Sequence, residues 1–221
     1  MTNSPDDAMA PSGLFLIHAP AAMLSMPAKG AAAMKTPFDD EASKTLAPAD
    51  DGGADHLDGK NLPSLTLPAT DGRLVDLSKL AGITIVFVYP KAGRAGTPVP
   101  EGWATIPGAS GCTSQTCAFR DQFAQLKMLG VENVFGLSTL ATVDQHETVA
   151  KLHLPFPLLS DPHFQLADAL RLPAFTGPGV RLLRRLTMII EDGRIVHVLY
   201  PVAEPERNPQ DVIAWLKADA R

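Results

Sequence analysis

The sequence predicts an α/β protein, a central mixed sheet flanked by helices behind a disordered N-terminal extension, and three observations carry that expectation. Ile83 to Tyr89, reading ITIVFVY, is a nearly continuous β-branched and aromatic run, the pattern of a strand buried on both faces. Between Thr113 and Leu129, the residues Cys117, Phe119, Phe123, Leu126 and Leu129 recur near helical spacing, and Gly130 is a natural stop. Leu186 to Ile190 and Ile195 to Tyr200 flank Glu191-Asp192-Gly193-Arg194, which reads as a β-hairpin closed by a tight turn.

The other elements fall around these. Residues 1–60 are rich in Ala, Pro, Asp, Ser and Gly and lack any sustained period, so they read as disordered, with the domain occupying residues 61–221. Met9, Met23, Met26 and Met34 offer later translation starts within that stretch. Asp71-Gly72 marks a turn, and Val75 to Leu80 has room for one helical turn. Pro90 ends the buried strand, and Lys91 to Gly111 is a Gly- and Pro-rich loop of 21 residues, long enough to point to a functional role. After the long helix come a second buried strand (Val131 to Leu137), a helix (Val143 to Leu152), an extended piece (Pro155 to Leu159) and a brief helix (Phe164 to Leu170). The hairpin follows, and Pro209 to Ala218 closes the chain with Val212, Trp215 and Leu216 on one helical face. This order matches a thioredoxin-like α/β fold. Such scaffolds carry redox enzymes, metal chaperones and inert adaptors alike, so the site decides the function.

Composition removes several classes. Lys and Arg total 19 against 24 Asp and Glu, and no basic run follows a phosphate backbone, which argues against nucleic acid. No stretch approaches the roughly 20 apolar residues that cross a bilayer. Gly13 to Met26 resembles a short signal-peptide core, but Asp6 and Asp7 stand where a signal carries Lys or Arg, so a cytoplasmic location is expected. The six histidines show no ligand spacing, and the glycines near Gly93 and Gly177 lack the spacing of phosphate loops. Arg181 to Arg185 reads as a solvated strand edge. The two cysteines are too few for a disulfide scaffold and remain available for chemistry.

Cys112 follows the loop and opens the long helix, where unpaired N–H groups and the helix dipole favour a thiolate, the form that acts as a nucleophile. Cys117 lies five residues on. In a regular helix that separation places the two Cα atoms about 8.7 Å apart. A disulfide needs less than about 7 Å, so the pair can join only if the first turn unwinds. On location alone, Cys112 as an ordinary small residue and Cys117 as a buried apolar one remain open.

The surrounding blocks are more specific. Tyr89-Pro90, then Gly111-Cys112-Thr113-Ser114-Gln115-Thr116-Cys117-Ala118-Phe119-Arg120-Asp121, resemble the bacterioferritin-comigratory-protein branch of the peroxiredoxins. The resemblance continues through Gly136-Leu137-Ser138-Thr139, Phe156-Pro157-Leu158-Leu159-Ser160-Asp161, and Arg185 leading into Gly193-Arg194-Ile195. It spans roughly Leu62 to Leu216. It implies a thiol peroxidase that reduces hydrogen peroxide and organic hydroperoxides through a sulfenic acid and an intramolecular disulfide, without a prosthetic group. Thioredoxin or a similar dithiol is the implied reductant, and the implied state is a monomer or weak homodimer without nucleic-acid or membrane partners. Cys112 matches the peroxidatic cysteine and Cys117 the resolving cysteine. Arg185 matches the arginine beside the thiolate, and strand alternation turns Arg184 the other way. Pro90 matches the substrate-positioning proline.

One family position departs from the pattern. A threonine is expected three residues before the reactive cysteine, and Ala109 stands there. Thr105, Ser110 or Thr97 are the candidates to supply the missing hydroxyl, with Thr105 preferred, while Trp103 covers apolar surface. Two rivals fit the scaffold less well. A thioredoxin-fold disulfide-exchange protein wants Cys-x-x-Cys, and a copper-delivering or redox-inert module wants Cys-x-x-x-Cys plus a distant His; neither spacing is present.

Overall fold

The computed structural model describes residues 47–91, 101–177 and 179–219. The apolar stretch Gly13 to Met26, the expectation of disorder for residues 1–46 and the candidate Thr97 lie outside them.

Two short strands, β1 (Leu67–Pro68) and β2 (Leu74–Val75), pair antiparallel across the Asp71-Gly72 turn. The expected helical turn follows as a 3-10 turn over Leu77–Lys79, where Asp76 accepts from the Ser78 N–H. β3 (Ile83–Val88) is the middle of the main sheet. Its side chains alternate between two apolar clusters, Val86 and Val88 in one, Ile85, Phe87 and Tyr89 in the other, which accounts for the unbroken apolar run.

The long helix appears in two pieces, α1 (Cys112–Asp121) and α2 (Phe123–Met128), separated at Gln122. Neither Gly nor Pro marks this break in the sequence. It accompanies the packing of Phe123 against Phe156, with ring centroids 5.8 Å apart, and the burial of Leu126, so tertiary contacts override local helicity. β4 (Val131–Ser138), α3 (Thr142–Leu152), β5 (Leu158–Ser160) and α4 (Gln165–Leu170) follow as expected to within a few residues. An unanticipated hairpin comes next, β6 (Ala174–Gly177) paired with β7 (Val180–Leu183). β8 (Leu186–Glu191) and β9 (Arg194–Leu199) then form the expected hairpin, with positive φ at both Asp192 and Gly193 as its turn type requires. α5 (Asn208–Asp219) completes the fold.

The sheet order is β5-β4-β3-β8-β9, with parallel pairing on the β4 side of β3 and antiparallel pairing on the β8 side. Phe119, Leu126, Val212, Ile213 and Leu216 place α1, α2 and α5 on one face; Leu166, Ala167 and Leu170 place α4 on the other. This is the mixed, helix-flanked sheet that the element order predicts.

The start of the domain needs correction. Ala54 and Leu57 are buried in the core, and backbone bonds tie Gly59 N–H to Ile195 O, Ile195 N–H to Lys60 O and Leu62 N–H to Gly193 O. Residues 54–60 therefore belong to the packed domain rather than to a disordered extension. Their polar composition hid this, because their order comes from covering the end of β9, a partner over a hundred residues away. Among the described residues no helix is long and apolar enough to cross a membrane.

Candidate active site

Cys112 is the first residue of α1, and Gly111 before it adopts φ 92°. A Cβ at Gly111 would stand 2.7 Å from Pro205 Cγ, so the helix start is pressed against the loop before α5. Both the left-handed backbone and that close approach require glycine here. Cys112 ends up only 5% exposed, in the same apolar cluster as the stacked rings of Phe87 and Phe119, whose centroids are 4.3 Å apart.

Arg185, between β7 and β8, is 2% exposed and aims its guanidinium at this helix start. Nη2 donates to Cys112 Sγ at 3.3 Å, to the Ser110 carbonyl at 2.8 Å and to the Gly108 carbonyl at 3.4 Å. Nη1 donates to Gln115 Oε1. The reading of Arg181 to Arg185 as a solvated edge thus holds for Arg181, which is exposed, and fails for Arg185. Arg184 points elsewhere, with Nε 3.9 Å from Asp51 Oδ2.

Behind Arg185 lies a polar chain that sequence reasoning did not find. Gln115 Nε2 donates to Asn208 Oδ1 at 2.8 Å, and Thr187 Oγ1 donates to the same oxygen at 2.7 Å. All three are buried. Gln115 is legible in hindsight as a polar residue one turn after Cys112; nothing in the sequence around Asn208 singles it out.

Tyr89 closes the other side. Its hydroxyl donates to Gln145 Oε1 at 2.6 Å, and Gln145 Nε2 in turn donates to Ser160 Oγ at 2.7 Å and to the Leu159 carbonyl at 2.9 Å. Burial raises the Tyr89 pKa and the proximity of the Cys112 sulfur adds to the rise, so the phenol stays a neutral donor. Pro90 is buried at the end of β3, its carbonyl accepting from Ser138 Oγ at 3.4 Å.

The loop candidates divide differently from expectation. Thr105 is exposed and donates its hydroxyl to the Gly102 carbonyl at 2.7 Å, within its own 3-10 turn, so its preference as the missing hydroxyl is corrected. The position expected to carry threonine supplies a backbone group instead: Ala109 is buried and its carbonyl accepts from Cys112 Sγ at 3.7 Å. Ser110 contributes its carbonyl to Arg185. Trp103 does cover apolar surface, packing with Ala109 and Leu182, and its ring centroid lies 6.5 Å from that of Phe175. The loop is thereby held against β6 and β7, which explains why that unanticipated hairpin matters to the site.

Cys117 lies on α1, half-buried, and no disulfide joins it to Cys112. The Asp121 carboxylate, and behind it the Cys117 sulfur, raise the Arg120 pKa further against the cost of burial, so Cys117 has a cation nearby. Beside Arg185, a shallow concavity is lined by Pro48, Pro107, Phe175 and Tyr200. Among the described residues no group of three His, Cys, Asp or Glu is placed to hold a metal ion.

A buried thiol at a helix start, contacted by a buried guanidinium on a mixed sheet flanked by helices, defines a thiol-based redox protein of thioredoxin-like fold. The redoxin family matches residues 57–213. Curated relatives include a peroxiredoxin Bcp of Escherichia coli, 32% identical over 73% of this chain and 96% of its own length. Peroxiredoxin Q of rice, chloroplastic, is 34% identical over 72% of this chain, which spans 66% of the rice protein. Solved structures of the same fold include peroxidoxin BcpB of Mycobacterium tuberculosis (23% identity, TM-score 0.59, covering 74% of this chain and 98% of that one). A PrxQ mutant of Xylella fastidiosa aligns with 22% identity and TM-score 0.60, covering 74% and 96%. The chain belongs to the redoxin family, in its peroxiredoxin Q/Bcp branch, whose members are thiol peroxidases.

Proposed function

We propose that this protein is a peroxidase that reduces hydrogen peroxide and organic hydroperoxides, with Cys112 as nucleophile, Cys117 as resolving thiol and Arg185 as the cation beside the Cys112 sulfur. The Cys112 thiolate attacks one peroxide oxygen; the S–O bond forms as the O–O bond breaks, and the leaving alkoxide takes up a proton and departs as alcohol or water. Cys112 is left as a sulfenic acid. The Cys117 thiol then condenses with it, forming the S–S bond and releasing water. An external dithiol, thioredoxin or one like it, reduces that disulfide by exchange and becomes a disulfide itself.

The single observation that carries this reading is Arg185 Nη2 at 3.3 Å from Cys112 Sγ. A guanidinium stays charged and offers several donors, so one group can favour the sulfur anion and stabilise the oxyanion that develops on the peroxide. A carbonyl cannot donate, so with Ala109 in place of threonine the peroxide's donors are Arg185 and the unpaired N–H groups at the start of α1. Pro90 holds the end of β3 beneath that opening. Resolution needs movement, since α1 is regular from Cys112 to Cys117 and sets their Cα atoms about 8.7 Å apart. The first turn unwinds to let the sulfurs meet. A cytoplasmic protein acting as a monomer or weak homodimer, without membrane or nucleic-acid partners, completes the reading.

NADPH consumption through thioredoxin reductase and thioredoxin, with several hydroperoxides, tests it. Turnover should accompany formation of an intramolecular Cys112–Cys117 disulfide, seen by mass spectrometry in a species that stays monomeric on a non-reducing gel. Unchanged turnover in Cys112→Ser sinks the assignment.

A further inference from the structure

We propose that Asn208, at the start of α5, is a positioning residue that sets how readily the first turn of α1 unwinds. It thereby sets how a Cys112 sulfenic acid divides between disulfide and sulfinic acid. The inference rests on the roles given above to Cys112 and Cys117.

Gln115 sits inside the stretch that must unwind. Arginine only donates, so Gln115 turns its oxygen to Arg185 and its nitrogen to Asn208. Asn208 Oδ1 consequently faces two donors, Gln115 Nε2 at 2.8 Å and Thr187 Oγ1 at 2.7 Å. Asn208 Nδ2 is buried with no hydrogen-bond partner among the described residues, an arrangement that costs stability by itself. The side chain, 1% exposed, is thus in place for its acceptor rather than for its donors. Unwinding withdraws Gln115, leaving Arg185 without one acceptor and Asn208 without one donor in a buried setting. A second observation points the same way. Pro205, three residues before Asn208, is packed so closely on Gly111 that a Cβ there would stand 2.7 Å from its Cγ. The chain entering α5 therefore braces the first turn of α1 at Gly111 and again at Gln115.

Two reactions compete for the sulfenic acid. Condensation with Cys117 forms S–S, releases water and requires the unwound turn. Attack of the sulfenate on a second hydroperoxide forms another S–O bond and breaks the O–O bond. The leaving alkoxide or hydroxide takes up a proton and departs as alcohol or water, and sulfinic acid remains; this path uses the wound turn beside Arg185. A tighter brace favours sulfinic acid, a looser one the disulfide.

The test exposes the reduced full-length protein, Asn208→Leu and Asn208→Asp to graded hydrogen peroxide, quenches with an alkylating agent and measures both products by mass spectrometry. Asn208→Leu keeps the approximate volume and removes the acceptor; Asn208→Ala makes the same demand should the leucine variant not fold. The sulfinic-to-disulfide ratio should fall about fivefold in the leucine or alanine variant, the scale of one buried hydrogen bond. It should stay within about twofold of wild type in Asn208→Asp, which keeps the oxygen that Gln115 needs. A purely structural role lowers both products together and leaves the ratio unmoved. An unchanged ratio in the leucine and alanine variants, or an equal shift in Asn208→Asp, overturns the role of Asn208. Absence of a Cys112–Cys117 disulfide in the wild-type protein removes the parent reading as well, so the two failures are distinguishable.

Discussion

Cys112 and Cys117 share one helix and one sequence block, yet their surroundings differ. Cys112 is buried at the first position of α1, where Arg185 donates to its sulfur and the backbone of residues 108–110 holds that arginine in place. Cys117 is half-buried in the middle of the helix, beyond the unpaired N–H groups at its start. A helix end offers uncompensated donors that its middle does not. The two cysteines of this helix therefore differ in position and in one partner from another element, not in residue type.

Six substitutions test that contrast. Cys112→Ser should lower peroxidase turnover by more than about a thousandfold, because the nucleophile has no substitute; a steady-state peroxide assay measures it. Arg185→Ala should lower kcat/KM by about a hundredfold or more, the scale of removing a donor aimed at a developing oxyanion. Arg185→Lys should recover only part of that loss, since the forked donor set is gone. Cys117→Ser should keep the first peroxide reduction, leave a sulfenic acid open to trapping by a carbon nucleophile, and slow multiple turnover with a dithiol. Its single-turnover rate, read by rapid mixing, separates the roles of the two cysteines. Tyr89→Phe should leave Gln145 Oε1 without its donor and destabilise the fold by about 1–3 kcal/mol in denaturant titration. Thr105→Ala should change stability by no more than about 0.5 kcal/mol and leave kcat/KM unaltered, as befits an exposed hydroxyl bonded within its own turn. A large loss in Thr105→Ala would return it to the site.

Legibility followed the range of the interactions. β3 was readable because burial on both faces writes an unbroken apolar run, and the β8–β9 hairpin because Asp192-Gly193 meets a strict backbone demand. Cys112, Cys117 and Arg185 were singled out through the motif blocks around them, and the structure brings Arg185 to the Cys112 sulfur. The Gln115–Asn208–Thr187 chain was not, since its members come from α1, α5 and β8 and each alone reads as an ordinary polar residue. The ordered segment before residue 61 was hidden for a related reason. Leu57 is fully buried, but its neighbours are polar, and the bonds that fix the segment run from Gly59 and Lys60 to Ile195 on β9.

The choice among loop hydroxyls shows the limit most directly. Thr105 was preferred over Ser110 and Thr97, but position along a loop does not constrain the direction of a side chain. The 3-10 turn at Trp103–Thr105 points that hydroxyl back to Gly102, and Trp103 anchors the loop on β6 and β7 so that the Ala109 carbonyl meets the sulfur.

By itself the sequence determined the order of the main-sheet strands and of the helices around them, the place of a cysteine at a helix start and a second cysteine five residues on. Those are consequences of local periodicity and of motifs carried along the chain. Tertiary structure alone decided which backbone and side-chain groups surround the sulfur, where the packed domain begins, and how α5 braces α1. Each of these depends on groups far apart in sequence meeting in a buried space, where a donor must find an acceptor and geometry selects which one.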